Sequence, residues 1–492
     1  MTCHPEQLDV SIAHLDGLYI GGEWHSSAPG ALVEVISPTT EGVIAKVALP
    51  SIADADRAAA LAQQAFNEGP WPTLPVAERI EVCTRLCDGL ERRLGDLNRA
   101  WAFESGPTIA HGEMINSGAG VAIWRGALAA AAELPWEEDR GDAIIRREPI
   151  GTVLGILTFN GPIVLMGMKI IPALLAGCTV VIKPAPESPL TARLMAEAID
   201  EAGFPPGVVS VLPADTAVTQ HLVSHPAIDM VALTGGTAIG VDVVKRTADR
   251  LARTALELGG KSPAIIAEDA DLNEVVQTLG EGSSGFNGQV CVSLSRILAP
   301  ANRYDEVVEA MAGYLNSLRI GDPFDPSTDR GPLAVARARD RVEQYVAGAQ
   351  QEGAKLIAGG KRPQHLQRGY FYEPTLLADV HNQMTIAQEE VFGPVTAVIA
   401  YDNIDQAVEI ANDSPFGLAA SVYTKDQTLA MDLARRIRAG GVAINMAGVS
   451  LTQPFGGYKQ SGWGRECGAE GILEFTQIKQ IITGGGYLDA GS

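Results

Sequence analysis

From residue 151 onward the apolar pattern alternates between short β-type runs and helical ones. This alternation restricts the fold more than any other feature of the chain. TVLGILTFN reads as a strand ending in Asn160, and VLMGMKIIPALLAG as a helix. CTVVIKPAP is the next strand, TARLMAEAIDEAG a helix and VVSVLPA a third strand. A short helix leads to DMVALTGGTAIG, a fourth strand that enters a Gly-rich turn and another helix. Strands spaced by helices imply crossover connections, hence a parallel sheet with helices on both faces and an α/β fold. Ligands of such sheets bind beyond the carboxyl ends of the strands. Asn160, Lys183, Pro213, Thr234 and Glu257 all fall at or near those ends.

The turn Thr234-Gly235-Gly236-Thr237 precedes a helix start, where free backbone N–H groups suit a pyrophosphate. It lacks the GxGxxG spacing, so a plain tight turn needing glycine is an equal reading of these residues alone. Lys183 is placed to meet an adenosine ribose or a phosphate; by residue type alone it is a solvated lysine.

Residues 256–291 carry the chemistry. The stretch opens as LELGGKSP and closes as GFNGQVCVSLSR, with Glu257 at a strand end and Cys291 in a loop. A thiol nucleophile and a carboxylate base are the two groups needed to make and then hydrolyse a thioester. Gly288 and Ser293 mark a polar loop, whereas Val290 and Val292 beside the cysteine fit the usual fate of a free cysteine, a small buried hydrophobe.

The remaining segments read as scaffold. Residues 16–49 form short strands with turns. Helices are expected at 52–69, at 77–105 in one run, and at 113–133. Residues 141–150 look like an exposed β-ribbon arm suited to an oligomer contact. Past Cys291 the βα pattern returns, with strands in GYFYEPTLLADV, EEVFGPVTAVIAY, SVYT and GGVAINM and helices at about 404–412 and in LAMDLARRIRAG. A Gly-rich loop follows, then a helix-to-strand segment, ILEFTQIKQIIT. At 492 residues and 46% hydrophobic, the chain suffices for two or three domains. A net charge of −22 argues against nucleic-acid binding, which needs clustered Lys and Arg. The six cysteines are scattered, so a reducing cytosol is the default, and Cys83 and Cys87 fit packing better than a metal site. No metal ligand set, signal peptide or membrane span is read from the sequence, so a cytoplasmic location is expected.

These motifs resemble the aldehyde dehydrogenase superfamily over nearly the whole chain. The markers are LTFN ending at Asn160, KPAPESPL from Lys183, LTGGTAIG from Leu233, LELGGKSP around Glu257, GQVC at Cys291, EEVFGPV from Glu389 and PFGGYKQSGWGRE from Pro454. Glu257 also lies 34 residues before Cys291, as in the family. The resemblance implies a variant Rossmann dinucleotide-binding domain (residues 1–130 and 151–258), an α/β catalytic domain (259–460) and a small β oligomerisation hairpin within bridging segments (131–150 and 461–492). It implies homodimers or homotetramers. It also implies that Cys291 attacks the aldehyde, with the oxyanion held by the Asn160 amide and the Cys291 N–H. Hydride would leave to the nicotinamide, and Glu257 would activate water against the thioester. Lys169 and Glu466 match a proton relay; an ordinary helix lysine and a structural salt bridge are the competing readings. Glu390 and Phe392 match the nicotinamide-ribose and ring contacts, Lys183 the adenosine ribose, and Gly235 and Gly236 the pyrophosphate turn. Thr158, Phe159, Thr234 and Leu258 complete the expected NAD site.

Three departures refine this expectation. Many NAD-selective members carry Glu three residues after the ribose lysine; here Pro186 stands there and Glu187 follows, so NADP use is open. The turn reads Thr-Gly-Gly where Thr-Gly-Ser is usual. Slots often aromatic in acetaldehyde-type members are Gly161, Met168, Gly285 and Val449, while Phe455 keeps its ring. With Val290 and Val292 they outline a wider apolar tunnel, suited to terpenoid, aromatic or medium-chain aldehydes. Three other activities compete. A CoA-acylating dehydrogenase typically lacks the base at Glu257. A crystallin-like structural relative is expected to lose Cys291, Glu257 or Asn160. A thiol hydrolase needs a histidine base, and no histidine lies beside a motif.

Overall fold

The computed structural model describes residues 7–26 and 32–484. Cys3, residues 27–31 within the expected strand segment 16–49, and residues 485–492 of the expected bridging segment 461–492 lie outside the described residues. Among the described residues, an eight-stranded sheet runs in the order Glu23–Ser26, Gly17–Ile20, Val209–Val211, Thr179–Lys183, Thr152–Ile156, Met230–Thr234, Arg253–Glu257 and Gly462–Trp463. Its five central strands are parallel, and the first of them in sequence, Thr152–Ile156, lies in the middle. The chain therefore reverses its direction of winding between Thr152–Ile156 and Met230–Thr234, where a crevice opens.

Each central strand is buried on both faces, so its side chains divide by pleat. Val153, Val180, Ile182, Met230 and Ala232 enter one apolar core; Leu154, Val181, Val231 and Leu233 enter the other. A seven-stranded sheet, in the order Lys355–Ala358, Thr375–Ala378, Val395–Tyr401, Arg296–Pro300, Pro263–Ile266, Ala419–Tyr423 and Gly441–Ile444, repeats this plan. Ile265, Leu298 and Ile399 face one core, and Ala264, Ile297 and Val398 the other. The Gly462–Trp463 strand returns from that second unit and pairs with Leu256 and Glu257, which ties the two sheets together.

Several local expectations need correction. The helix at 77–105 is two helices, Val76–Arg92 and Leu94–Ser105; Arg93 leaves helical geometry (φ −101°, ψ 5°) and its guanidinium turns back to the Gly89 carbonyl. The run at 113–133 opens with a π-helical segment, Glu113–Gly120. The first βα strand stops at Ile156, four residues before Asn160; the Leu157 N–H, which donates to the Lys183 carbonyl at 2.9 Å, closes its parallel ladder with Thr179–Lys183. The arm at 141–150 is part of a hairpin, Glu137–Asp139 with Ala143–Pro149, that Thr476–Ile482 extends to a three-stranded antiparallel sheet. No helix among the described residues is long and apolar enough to cross a membrane.

Candidate active site

A cavity of about 730 Å³ fills the crevice. Its walls include Thr158 and Phe159, then Lys183, Pro186 and Glu187, then Thr234, Gly235 and Gly236 from the Gly-rich turn. Leu258, Glu390 and Phe392 close the opposite side, and Asn160 and Cys291 also line it. All these residues were expected together from their motifs, and the fold brings them around one space.

The walls fit a dinucleotide. Gly236 is the N-cap of the helix Thr237–Thr247 and supplies no capping side chain, so the first N–H groups of the helix are open to an anion. A Cβ on Gly236 would meet nothing within 4 Å. The hydroxyl of Thr234 is buried without a hydrogen-bond partner. Lys183 is buried, and desolvation lowers its pKa to about 8 against the opposing pull of Glu187 and Asp215. Phe159 and Phe392 meet edge to face, 6.1 Å between centroids. The Glu390 carboxylate accepts from Gly260 N–H at 3.2 Å and lies so close to Gly259 that a Cβ there would stand 2.2 Å from Oε2.

The nucleophile loop is held in uncommon geometry. Phe286 and Asn287 have φ of 45° and 54°, and Gly288 follows at +65°. Left-handed conformations in ordinary residues cost about 1–2 kcal/mol each and persist where the surroundings enforce them. Here Asn287 Nδ2 donates to the Gly331 carbonyl at 2.6 Å, and Ala334 N–H donates to Gln289 Oε1 at 3.1 Å. The Phe286 ring packs edge-on against Trp101 at 5.3 Å. A Cβ on Gly260 would lie 2.4 Å from the Cys291 carbonyl oxygen, so glycine is needed where that loop crosses. Burial first, then the carboxylates of Glu390, Glu257 and Glu466, push the Cys291 thiol up to about 12. The sequence resemblance carries no sign of this: the protein's own groups favour the resting thiol.

Glu257, Lys169 and Glu466 are not among the cavity's lining residues. Glu257 is buried, and neither carboxylate oxygen has a hydrogen-bond partner. Burial and then the Glu466 charge raise its pKa well above the usual carboxylate range, while Lys169, Arg465 and the nearby Gly457 amide oppose them. Lys169 forms a buried ion pair with Glu466. It sits in the π-helical turn Met166–Ile170. Glu466 is fixed by paired backbone hydrogen bonds to Phe455, both 2.7 Å. Asn160 Oδ1 accepts from Thr158 Oγ1 at 2.6 Å, which leaves its NH2 as the donor end.

Among the tunnel slots, Met168 and Phe455 are buried in one core, and Cys291, Val292 and Val449 pack against that core. Gly161 is buried, and a Cβ on Gly285 would meet nothing within 4 Å. Val290 instead lines a small void with Gly288, Glu390 and Gly393.

Several contributors carry no motif. Arg337 and Arg341, at the start of the helix Ala336–Gln351, line the cavity, as do Thr219 and Gln220 from the helix Thr216–Ser224. Trp101 Nε1 donates to the Phe159 carbonyl at 2.7 Å and so braces the Asn160 loop. Asp56, His221 and His225 form the one trio of metal-type ligands found among the described residues. Ala227 N–H donates to His225 Nδ1 at 3.1 Å, which puts that ring's proton on Nε2, the atom that faces Asp56.

Comparison with known proteins agrees with this geometry. The aldehyde dehydrogenase family model matches residues 24–481. A geranial dehydrogenase of Castellaniella defragrans is 40% identical over 469 residues, covering 94% of this chain and 98% of that protein. A Mycobacterium tuberculosis aldehyde dehydrogenase solved with NAD+ is 43% identical, with a TM-score of 0.94 over 97% of this chain and 100% of that one. A mutant of aldehyde dehydrogenase C from Pseudomonas syringae, solved with NAD+ and octanal, is 37% identical with a TM-score of 0.93 over 96% and 98% of the two chains. With family model, relatives and architecture in agreement over nearly its full length, the chain belongs to the aldehyde dehydrogenase family.

Proposed function

We propose that this enzyme oxidises bulky apolar aldehydes to carboxylic acids with NAD, and with NADP as a second cofactor, through a thioester on Cys291. The observation that carries the reading is the position of Cys291 and Asn160 on a dinucleotide-sized cavity, with the unpaired carboxylate of Glu257 within electrostatic reach of the thiol. The bound dinucleotide supplies the hydride acceptor. Cys291 Sγ, as the thiolate left when its proton passes to solvent, would bond to the carbonyl carbon, and loss of hydride from that carbon would leave the thioester. Asn160 Nδ2 and the Cys291 N–H stabilise the oxyanion. Glu257 then takes a proton from water as the water attacks the thioester; burial makes it a strong base once ionised. Lys169 and Glu466 lead that proton away. Lys183, the Gly235–Gly236 turn, Glu390 and Phe392 hold the cofactor from adenosine to nicotinamide.

Open space at Gly285 and the apolar surfaces of Met168, Val292, Val449 and Phe455 support a bulky substrate. The geranial and octanal named for two relatives point the same way. Glu257 favours water over CoA as acyl acceptor. The domain reading is residues 1–130 with 151–258 for the cofactor, 259–460 for catalysis, and 131–150 with 461–492 as bridging segments. Exposed Ile478 and Ile482 on the Thr476–Ile482 strand support a homodimer or homotetramer, and a cytoplasmic location remains the expectation.

The test is NAD(P)H formation at 340 nm with an aldehyde panel, for wild type and Cys291→Ala, with and without CoA. Turnover of terpenoid or medium-chain aldehydes without CoA, absent in the variant, is expected. Preference for acetaldehyde would overturn the substrate reading, and a CoA requirement the hydrolytic one.

A further inference from the structure

One wall of the cavity is built to accept negative charge by a device outside the family motifs. After Lys183 the chain runs through Ala185, Pro186 and Glu187 to the helix Pro189–Ala202. That loop is pinned from behind. Ser105 Oγ donates to the Glu187 carbonyl at 3.0 Å, and the Glu104 carboxylate accepts from Leu190 and Thr191 N–H at 2.6 and 2.9 Å. From the opposite wall, Arg337 in the first turn of Ala336–Gln351 reaches across and forms an ion pair with Glu187. The Glu187 side chain is 12% exposed and that of Arg337 73%. The carboxylate is thus sunk in the wall, and the guanidinium is the movable partner.

Both residues line the cavity together with Lys183, and Glu187 is near enough to favour the lysine's charge. This trio offers two chemistries. A ribose 2′-hydroxyl needs an acceptor, which Glu187 is. A 2′-phosphate dianion needs cations, which Lys183 and Arg337 are. A lone Glu187 would repel the dianion; paired with Arg337 it is neutralised. The solvent-facing side of the guanidinium is free to turn, and its forked donors can hold the carboxylate and a phosphate oxygen together.

We propose that Arg337 is a specificity-determining residue that keeps Glu187 neutralised with one side of its guanidinium and binds the 2′-phosphate of NADP with the other, alongside Lys183, so that the enzyme accepts both dinucleotides. This rests on reading the cavity as the dinucleotide site. It is tested by calorimetric binding of adenosine 2′,5′-bisphosphate and of adenosine 5′-monophosphate, probes that differ only in the 2′-phosphate and need no aldehyde. In Arg337→Ala the ratio of bisphosphate Kd to monophosphate Kd is expected to rise about tenfold or more, the effect of losing one charged hydrogen-bonded partner. Arg337→Lys should fall between, and Glu187→Gln should lower the ratio. The KM ratio for NADP over NAD should follow the same order. An unchanged ratio in Arg337→Ala overturns the proposal while leaving the dinucleotide site standing. Failure of the wild type to bind either nucleotide overturns the site reading and the proposal with it.

Discussion

Lys169 and Glu466, 297 positions apart in the chain, form an ion pair whose side chains are 0% and 5% exposed. The pair lies beside Glu257, whose charge it tunes from both directions: the ammonium favours ionisation and the second carboxylate opposes it. Removing one member of a buried pair leaves the other charge uncompensated. Lys169→Met should therefore cost about 3–5 kcal/mol and lower the urea midpoint. Lys169→Met/Glu466→Gln should stand above the single variant. A single variant as stable as wild type would mean that the pair is not dry.

On the proposed mechanism Glu257 acts on water and not on the aldehyde. Glu257→Gln should form about one NADH per active site in a rapid burst and then slow by on the order of 10²–10⁴ in steady state. Stopped-flow absorbance at 340 nm separates the phases. Loss of the burst itself would show that Glu257 is also needed to deprotonate Cys291.

The thiol of Cys291 is raised from 9 to about 12 by burial and three carboxylates. A raised thiol pKa keeps the proton on at neutral pH, so thiolate appears only as pH climbs. Iodoacetamide inactivation of the cofactor-free enzyme should accelerate by about tenfold per pH unit from 7 to 10, with no plateau. A plateau near pH 8 would reveal a cationic partner that the fold does not place there. Among the described residues the other cysteines, Cys83, Cys87, Cys178 and Cys467, are buried, so in a Cys3→Ser background Cys291→Ala should remove most of the labelling.

The space beside Gly285 can be filled. A Cβ there meets no atom within 4 Å, so Gly285→Phe should fold without backbone change. We expect kcat/KM for a branched ten-carbon aldehyde to fall at least about tenfold, while that for propanal changes little, as one misfitted apolar group costs roughly 1–3 kcal/mol. Equal losses for both aldehydes would place Gly285 outside the substrate path.

Much of this protein is legible along the chain because its determinants are local. Strand and helix periods between residues 151 and 258 reflect side chains that must face two cores, and the pleat divides Val153 from Leu154 as the pattern demands. Asn160, Lys183, the Gly235–Gly236 turn, Glu257, Cys291 and Glu390 stand in short motifs whose spacing survives in one dimension. Tertiary structure alone decided the rest. Arg337 meets Glu187 across 150 residues, and Trp101 braces Phe159 from a helix with no chemical signature. The left-handed pair Phe286–Asn287 goes against local preference and is held from a distance, Asn287 by the Gly331 carbonyl and Phe286 by Trp101. The thiol's raised pKa is the sum of burial and three carboxylates brought in from separate segments. Such effects depend on distance through space and on exclusion of water, and neither is written in the order of residues along the chain.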